Sequence, residues 1–292
     1  MSTILYTTDF SDAAENALNF AVRMAESSQS KLLLFHTYDI PYDHSERVDA
    51  DIEAMKKKSR KAMDKLESSI RSRPDLENLE VETIIGTGST VTSILETARE
   101  VQPNLIVMGT RGASGIKKLI FGSNTAEIIM HSEFPVLAIP EEFKFEHIAE
   151  LVYATDYREA DLEILSDIIQ LARLLDVPVR VLHLTDEDTL TEEIKFRGFK
   201  DLVRETINFQ NITHELLYSE QFLDGLDRYL EEHLRAIMSL GSYRRNLLER
   251  MVNRSTGMEM AYHSRLPLLV LLADRRLSIH RPESLPEVKV KA

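Results

Sequence analysis

Cysteine is missing altogether from the 292 residues, which excludes disulfides and thiolate metal sites and fits a reducing cytoplasm. Positive charge is in short supply: 35 Lys and Arg against 48 Asp and Glu leave a formal charge of −13. Nucleic acid and anionic lipid surfaces need clustered Lys and Arg, so neither is expected as a partner. Long apolar runs are lacking as well. The longest near the C-terminus, Leu266 to Ala273, falls far short of the ~20 residues that span a bilayer. The opening residues Met-Ser-Thr-Ile-Leu-Tyr run straight into a strand with no basic segment or cleavage site. No Gly-Lys pair occurs, which rules out a Walker-type phosphate loop. What is left reads as an acidic, cytoplasmic globular protein, 43% hydrophobic and 28% charged, long enough for two ordinary domains.

Glycine is sparse too, ten in all, yet four fall in one stretch at 109, 112, 115 and 122. That stretch follows the strand-like run Leu105 to Met108 and leads into a helix-like run from Ala126. Glycines after a strand let the backbone turn and let a ligand come close. Free amides beside a helix N-terminus suit an anion, usually a phosphate. The same glycines could form only a tight strand-to-helix turn, and Asp9 only a helix cap.

Strand-like and helix-like segments alternate along the chain, which predicts a parallel sheet covered on both faces. Strands are expected at Ile4 to Thr8, Lys31 to Thr37, Val81 to Ile85, Leu105 to Met108 and Val136 to Ile139, with a polar helix from about Val48 to Ile70. The first helix begins near Asp12, with Asp12 and Glu15 as a capping box or Ser11 as the cap. The second half repeats this order. Asp156 matches Asp9 and His183 matches His36, both at an offset of 147; Gly241 matches Gly109, His263 matches His131 and Pro267 matches Pro135, all at 132. The repeat therefore continues through both halves apart from 15 residues lost between the second and third strands. Residues 1–142 and 146–273 are expected as two domains, and 274–292 as a loosely ordered tail.

The spacing Gly109-x2-Gly112-x9-Gly122-Ser123, the strand end Thr7-Thr8-Asp9-Phe10-Ser11 and the segment Phe35-His36-Thr37 together resemble the universal stress protein family in its tandem two-domain form. The resemblance is strong over residues 1–140 and weak over 148–273, and Thr7 stands where the family usually has proline. It implies two tandem Rossmann-like (adenine nucleotide alpha hydrolase-like) α/β domains, each a five-stranded mostly parallel sheet with helices on both faces. It also implies ATP, with or without Mg, at the carboxyl ends of the strands. Carried over by position, Asp9 and the Thr37 backbone meet the ribose and adenine, Thr7 and Thr8 belong to the same nucleotide site, and Met108 and Gly109 lie under the nucleoside. Gly112, Gly122, Ser123 and Asn124 surround the phosphates. Arg111, Lys117 and Lys118 add positive charge there. Pairing through the last strand of each unit is implied too, giving an internal pseudo-dimer; a homodimer of whole chains and a regulatory protein partner remain open.

In the second half Arg244 and Arg254 replace Gly112 and Gly122. Bulky side chains at those points would obstruct phosphates, so this half is not expected to bind ATP in the family manner. Asp156 survives, which leaves room for a nucleoside pocket without a phosphate floor; in a rival reading the arginines bind an anion by charge. His36 and His183, like His131 and His263, recur at repeat positions, which fits shared hydrogen bonding better than metal. Gly86-x-Gly88 is no dinucleotide fingerprint, since its third glycine position is Val91. The expected role is an ATP-binding stress-response switch with one nucleotide per chain. Slow ATP hydrolysis or phosphotransfer, and a nucleotide-independent scaffold, are the alternatives.

Overall fold

The computed structural model describes residues 2–39, 46–110, 122–241, 266–273, 275, 277 and 279. In the first half β1 (Thr3–Thr7), α1 (Asp12–Ser28), β2 (Lys31–Tyr38), α2 (Glu46–Arg71), β3 (Val81–Thr87), α3 (Thr90–Val101), β4 (Leu105–Gly109), α4 (Ser123–His131) and β5 (Val136–Ile139) follow one another. The second half runs β6 (Glu150–Ala154), α5 (Ala160–Leu175), β7 (Val179–Thr185), α6 (Leu190–Thr206), β8 (Ile212–Tyr218), α7 (Phe222–Glu232), β9 (Ala236–Gly241) and β10 (Leu268–Leu271).

All ten strands lie in one sheet, ordered β3-β2-β1-β4-β5-β10-β9-β6-β7-β8. Every pairing within a half is parallel, and the halves join where β5 and β10 run antiparallel, Leu137 opposite Leu269. The inner strands β4, β5, β6, β9 and β10 are buried at every position. That is why they read as unbroken apolar runs and not as alternating ones: helices cover both faces. The outermost strands, β3 and β8, are partly exposed and carry polar residues such as Glu82 and Glu215, which suits sheet margins.

The register refines the repeat. Leu32 pairs with Val81 and Val179 with Ile212, so the third strands are 131 residues apart. The fourth strands, through Leu105 opposite Ile4 and Ile237 opposite Leu151, are 132 apart. Sixteen residues are thus lost after the second strand, where α6 has 17 residues against 26 in α2, and one is regained before the fourth. At α1, Ser11 is the cap: its hydroxyl accepts from the Ala14 amide at 3.3 Å.

The segment after β10 departs from expectation. Leu277 and Ile279 are fully buried, the Leu277 amide donates to Asp167 at 2.8 Å, and Arg275 lies over the Phe134 ring while donating to the Gln102 side chain at 2.7 Å. This much of the tail is docked, with Arg275 on first-half residues. Its apolar residues find burial that outweighs the turn-like composition around them.

Candidate functional site

Strand order reverses direction at β1 and β4, and a crevice opens beyond the carboxyl ends of the strands at that switch point, the expected place for a ligand in an open parallel sheet. Here the ends of β1, β2 and β4 meet the N-termini of α1, α3 and α4 around a cavity of about 280 Å³, near the lower end of the range of ~300–1,000 Å³ for small-molecule sites. Phe35, Ile94 and Met108 give it apolar walls, while Thr7, Thr8, Asp9 and Thr37 give it a polar rim.

Nine of the eleven residues expected from sequence line this cavity together: Thr7, Thr8, Asp9, Thr37, Met108, Gly109, Gly122, Ser123 and Asn124. Arg111 and Gly112 lie outside the described residues, as do Lys117, Lys118, Arg244, Arg254 and His263. Ala14, Phe35, Thr90, Ile94 and Thr125 line it as well. Sequence reasoning missed those five because they reach the cavity through tertiary packing; only the helix-start positions of Ala14 and Thr90 offered a signal.

Thr37 carries the most telling atom. Its Oγ1 is buried and has no hydrogen-bond partner among the described residues, yet the residue borders the cavity. A buried hydroxyl left unpaired costs roughly 1–3 kcal/mol, so its place in the wall suits a ligand that completes it. On the opposite wall α4 begins at Ser123 with Gly122 as its N-cap, and the Gly122 amide donates to Thr110 at 2.7 Å. Ser123 is therefore the first helical residue and not the cap. The amides that follow Gly122 have no intrahelical acceptor, and the positive end of the helix points the same way, which favours an anion.

Gly109 serves packing more than ligand approach. A Cβ there would sit 2.9 Å from the Ala13 carbonyl carbon and 3.0 Å from the Ala14 amide nitrogen, so glycine lets the end of β4 press against the first turn of α1. The Thr125 hydroxyl then donates to the Gly109 carbonyl at 2.9 Å and ties α4 to the same strand.

The rim is held from behind. His36 Nδ1–H donates to the Thr8 carbonyl at 2.8 Å and Nε2 accepts from the Ser59 hydroxyl at 3.1 Å. Burial lowers the His36 pKa, against the raising effects of the Thr8 carbonyl and Asp9. The ring of Phe10, in the left-handed region at φ 62°, rests against His36 with 4.4 Å between centroids. Asp9 Oδ1 accepts from the Ser11 amide at 3.1 Å, an Asx-type turn that fixes the carboxylate at the cavity edge. The second half repeats the device: His183 Nδ1–H donates to the Thr155 carbonyl at 2.7 Å, and Tyr157, at φ 60°, stacks on it at 4.1 Å. The recurring histidines at 36 and 183 are thus hydrogen-bonding posts. Among the described residues no group of three His, Cys, Asp or Glu could hold a metal ion. None of the described helices is long and apolar enough to cross a membrane.

Residues 1–140 match the model of the universal stress protein family. Over 147 residues the chain is 28% identical to the universal stress protein YxiE of Bacillus subtilis, covering 47% of this chain and 97% of that protein. It is 26% identical over 151 residues to the universal stress protein MJ0577 of Methanocaldococcus jannaschii, covering 47% and 93%. Across both halves the fold is similar to a universal stress protein from Archaeoglobus fulgidus, with a TM-score of 0.68 at 16% identity over 93% of this chain and 98% of that one.

Proposed function

From a chain whose residues 1–140 match the universal stress protein family, we propose an ATP-binding regulatory protein of the stress response, taking one adenine nucleotide per chain in the cleft of its first half. The observation that carries this reading is the unpaired Thr37 hydroxyl in the wall of a cavity that also gathers the N-terminus of α4 and the Asp9 carboxylate. In this reading Phe35, Ile94 and Met108 give apolar surface to the base, Asp9 accepts from ribose hydroxyls, and the α4 amides take phosphate oxygens. Mg bound with ATP would take its ligands mainly from phosphate and water, because Asp9 is the one carboxylate among the described residues that line the cavity.

Binding is favoured over turnover on the same ground. Phosphoryl transfer needs a group to orient the attacking oxygen beside the phosphates, and the one carboxylate that lines the cavity among the described residues, Asp9, comes from the loop after β1 and not from α4. The two sheet halves are read as domains over 1–142 and 146–273, paired within the chain through β5 and β10, in a cytoplasmic protein; the antiparallel ladder supports that pairing.

The test is a melting experiment on the full chain. ATP at ~100 times its dissociation constant should stabilise it by ~2.7 kcal/mol, with one equivalent bound by calorimetric titration. Two equivalents, or no stabilisation by any adenine nucleotide, would overturn the reading. Steady phosphate release that Asp9→Ala abolishes would move it to an enzyme.

A further inference from the structure

The second half repeats the β1 and α1 side of the first cleft with other side chains in it. Tyr6 and Tyr153 occupy one repeat position: the Tyr6 hydroxyl donates to the Ala14 carbonyl at 2.7 Å, while the Tyr153 hydroxyl donates to the Asp161 side chain at 2.6 Å. Asp161 is the repeat partner of Ala14, which lines the first cavity. Its carboxylate is fully buried and also accepts from the Thr155 hydroxyl at 2.6 Å, the Arg158 amide at 2.9 Å and the Asp156 amide at 3.2 Å. Those groups are the copies of Thr8 and Asp9, which line the first cavity, and of Ser11, which caps α1 beside them. A second residue also differs. Leu184 stands where Thr37 stands in the first half, and its Cδ2 lies 2.8 Å from where a Cβ on Gly225 of α7 would be. The same Cβ would lie 2.5 Å from that of Ser219, so glycine at 225 lets α7 sit close over the end of β8 as well.

We infer that Ala14 is the residue that admits an anionic ligand to the first cleft, and that Asp161, its counterpart, makes the second half refuse one by putting a fixed carboxylate among the same hydroxyls and loop amides. The inference rests on the nucleotide reading of the first cleft. A buried carboxylate with four donors is satisfied in place, so it has nothing to gain from a second anion and repels it through a medium of low dielectric. This closure acts on the α1 and β1 side of the cleft, independently of Arg244 and Arg254. It also draws the loop that carries Asp156 onto Asp161 through the Asp156 amide.

The test copies the second half into the first. Wild type, Ala14→Asp and Ala14→Asn are each titrated with ATP by calorimetry, with circular dichroism and melting of the unliganded chains as the folding control. No ATP binding by the wild type would sink the nucleotide reading itself and is told apart at once. With the wild type binding, Ala14→Asp should fold and lose affinity by roughly a hundredfold or more through like-charge repulsion, while Ala14→Asn, with the same shape and no charge, should stay within about tenfold of wild type. Equal affinity in Ala14→Asp and wild type, or equal loss in both variants, overturns the inference. So does failure of Ala14→Asp to fold, with or without Ala14→Asn, because the second half holds that carboxylate in the same frame.

Discussion

Thr37 and Leu184 stand at one position of the two halves, 147 residues apart, and differ in what they offer a ligand. The first carries a buried hydroxyl with no partner among the described residues, and the second carries methyl groups packed against the backbone of α7.

Replacing Thr37 by Val should therefore move two measurements in opposite directions. The free chain should hold its stability or gain up to ~1 kcal/mol, since an isosteric apolar group replaces an unpaired buried oxygen. Stabilisation by ATP should shrink. Urea titration without and with nucleotide reads both, and a variant that loses stability when free would show that the hydroxyl is paired within the protein.

Gly109→Ala tests the contact between β4 and α1. The new methyl would lie 2.9–3.0 Å from backbone atoms of Ala13 and Ala14, which cannot swing aside as a side-chain tip can. The expected cost is about 1–3 kcal/mol, seen as a lower urea midpoint with unchanged slope.

His214 makes the fold sensitive to mild acid. Burial, helped by the charge of Lys200, pushes its pKa down from 6.5 to about 4, and its Nε2 has no partner among the described residues. The unfolded chain takes up a proton at this residue near pH 6.5 while the folded chain resists until about pH 4. Its contribution is therefore whole above pH 6.5 and is lost as the pH falls through that window. Denaturation at pH 6.5 and 5 should show a fall that His214→Gln reduces; an unaltered fall would assign the sensitivity elsewhere.

Ending the chain at Ala273 should be costly although it removes only the tail. Leu277 and Ile279 are fully buried, and losing both forfeits ~3 kcal/mol or more, a melting drop of roughly 6–12 °C. A truncated chain that melts with the full one would show that the docking contributes nothing.

The fold and most of the cavity wall were legible because they rest on local signals. Apolar runs between glycines and helix starts marked the strands, the offsets of Asp156 and His183 exposed the repeat, and the glycine spacing pointed to the right crevice. Asp161 and Leu184 were visible as residues but not as a closure. Their meaning depends on what Ala14 and Thr37 face, which only packing reveals. The tail misled because Arg, Pro and Ser dominate its composition, whereas its docking is decided by Leu277 and Ile279.

The seam at β5 and β10 has a geometric consequence for signalling. Strands one to five all point one way and six to ten the other, so the crevice at β1 and β4 and the matching strand ends of β6 and β9 look out from opposite rims of a single slab. A partner seated over the β6 and β9 rim would not touch a ligand held in the crevice. On the proposed reading, the two rims would be coupled only through the body of the slab, where α1 of one half touches α5 of the other.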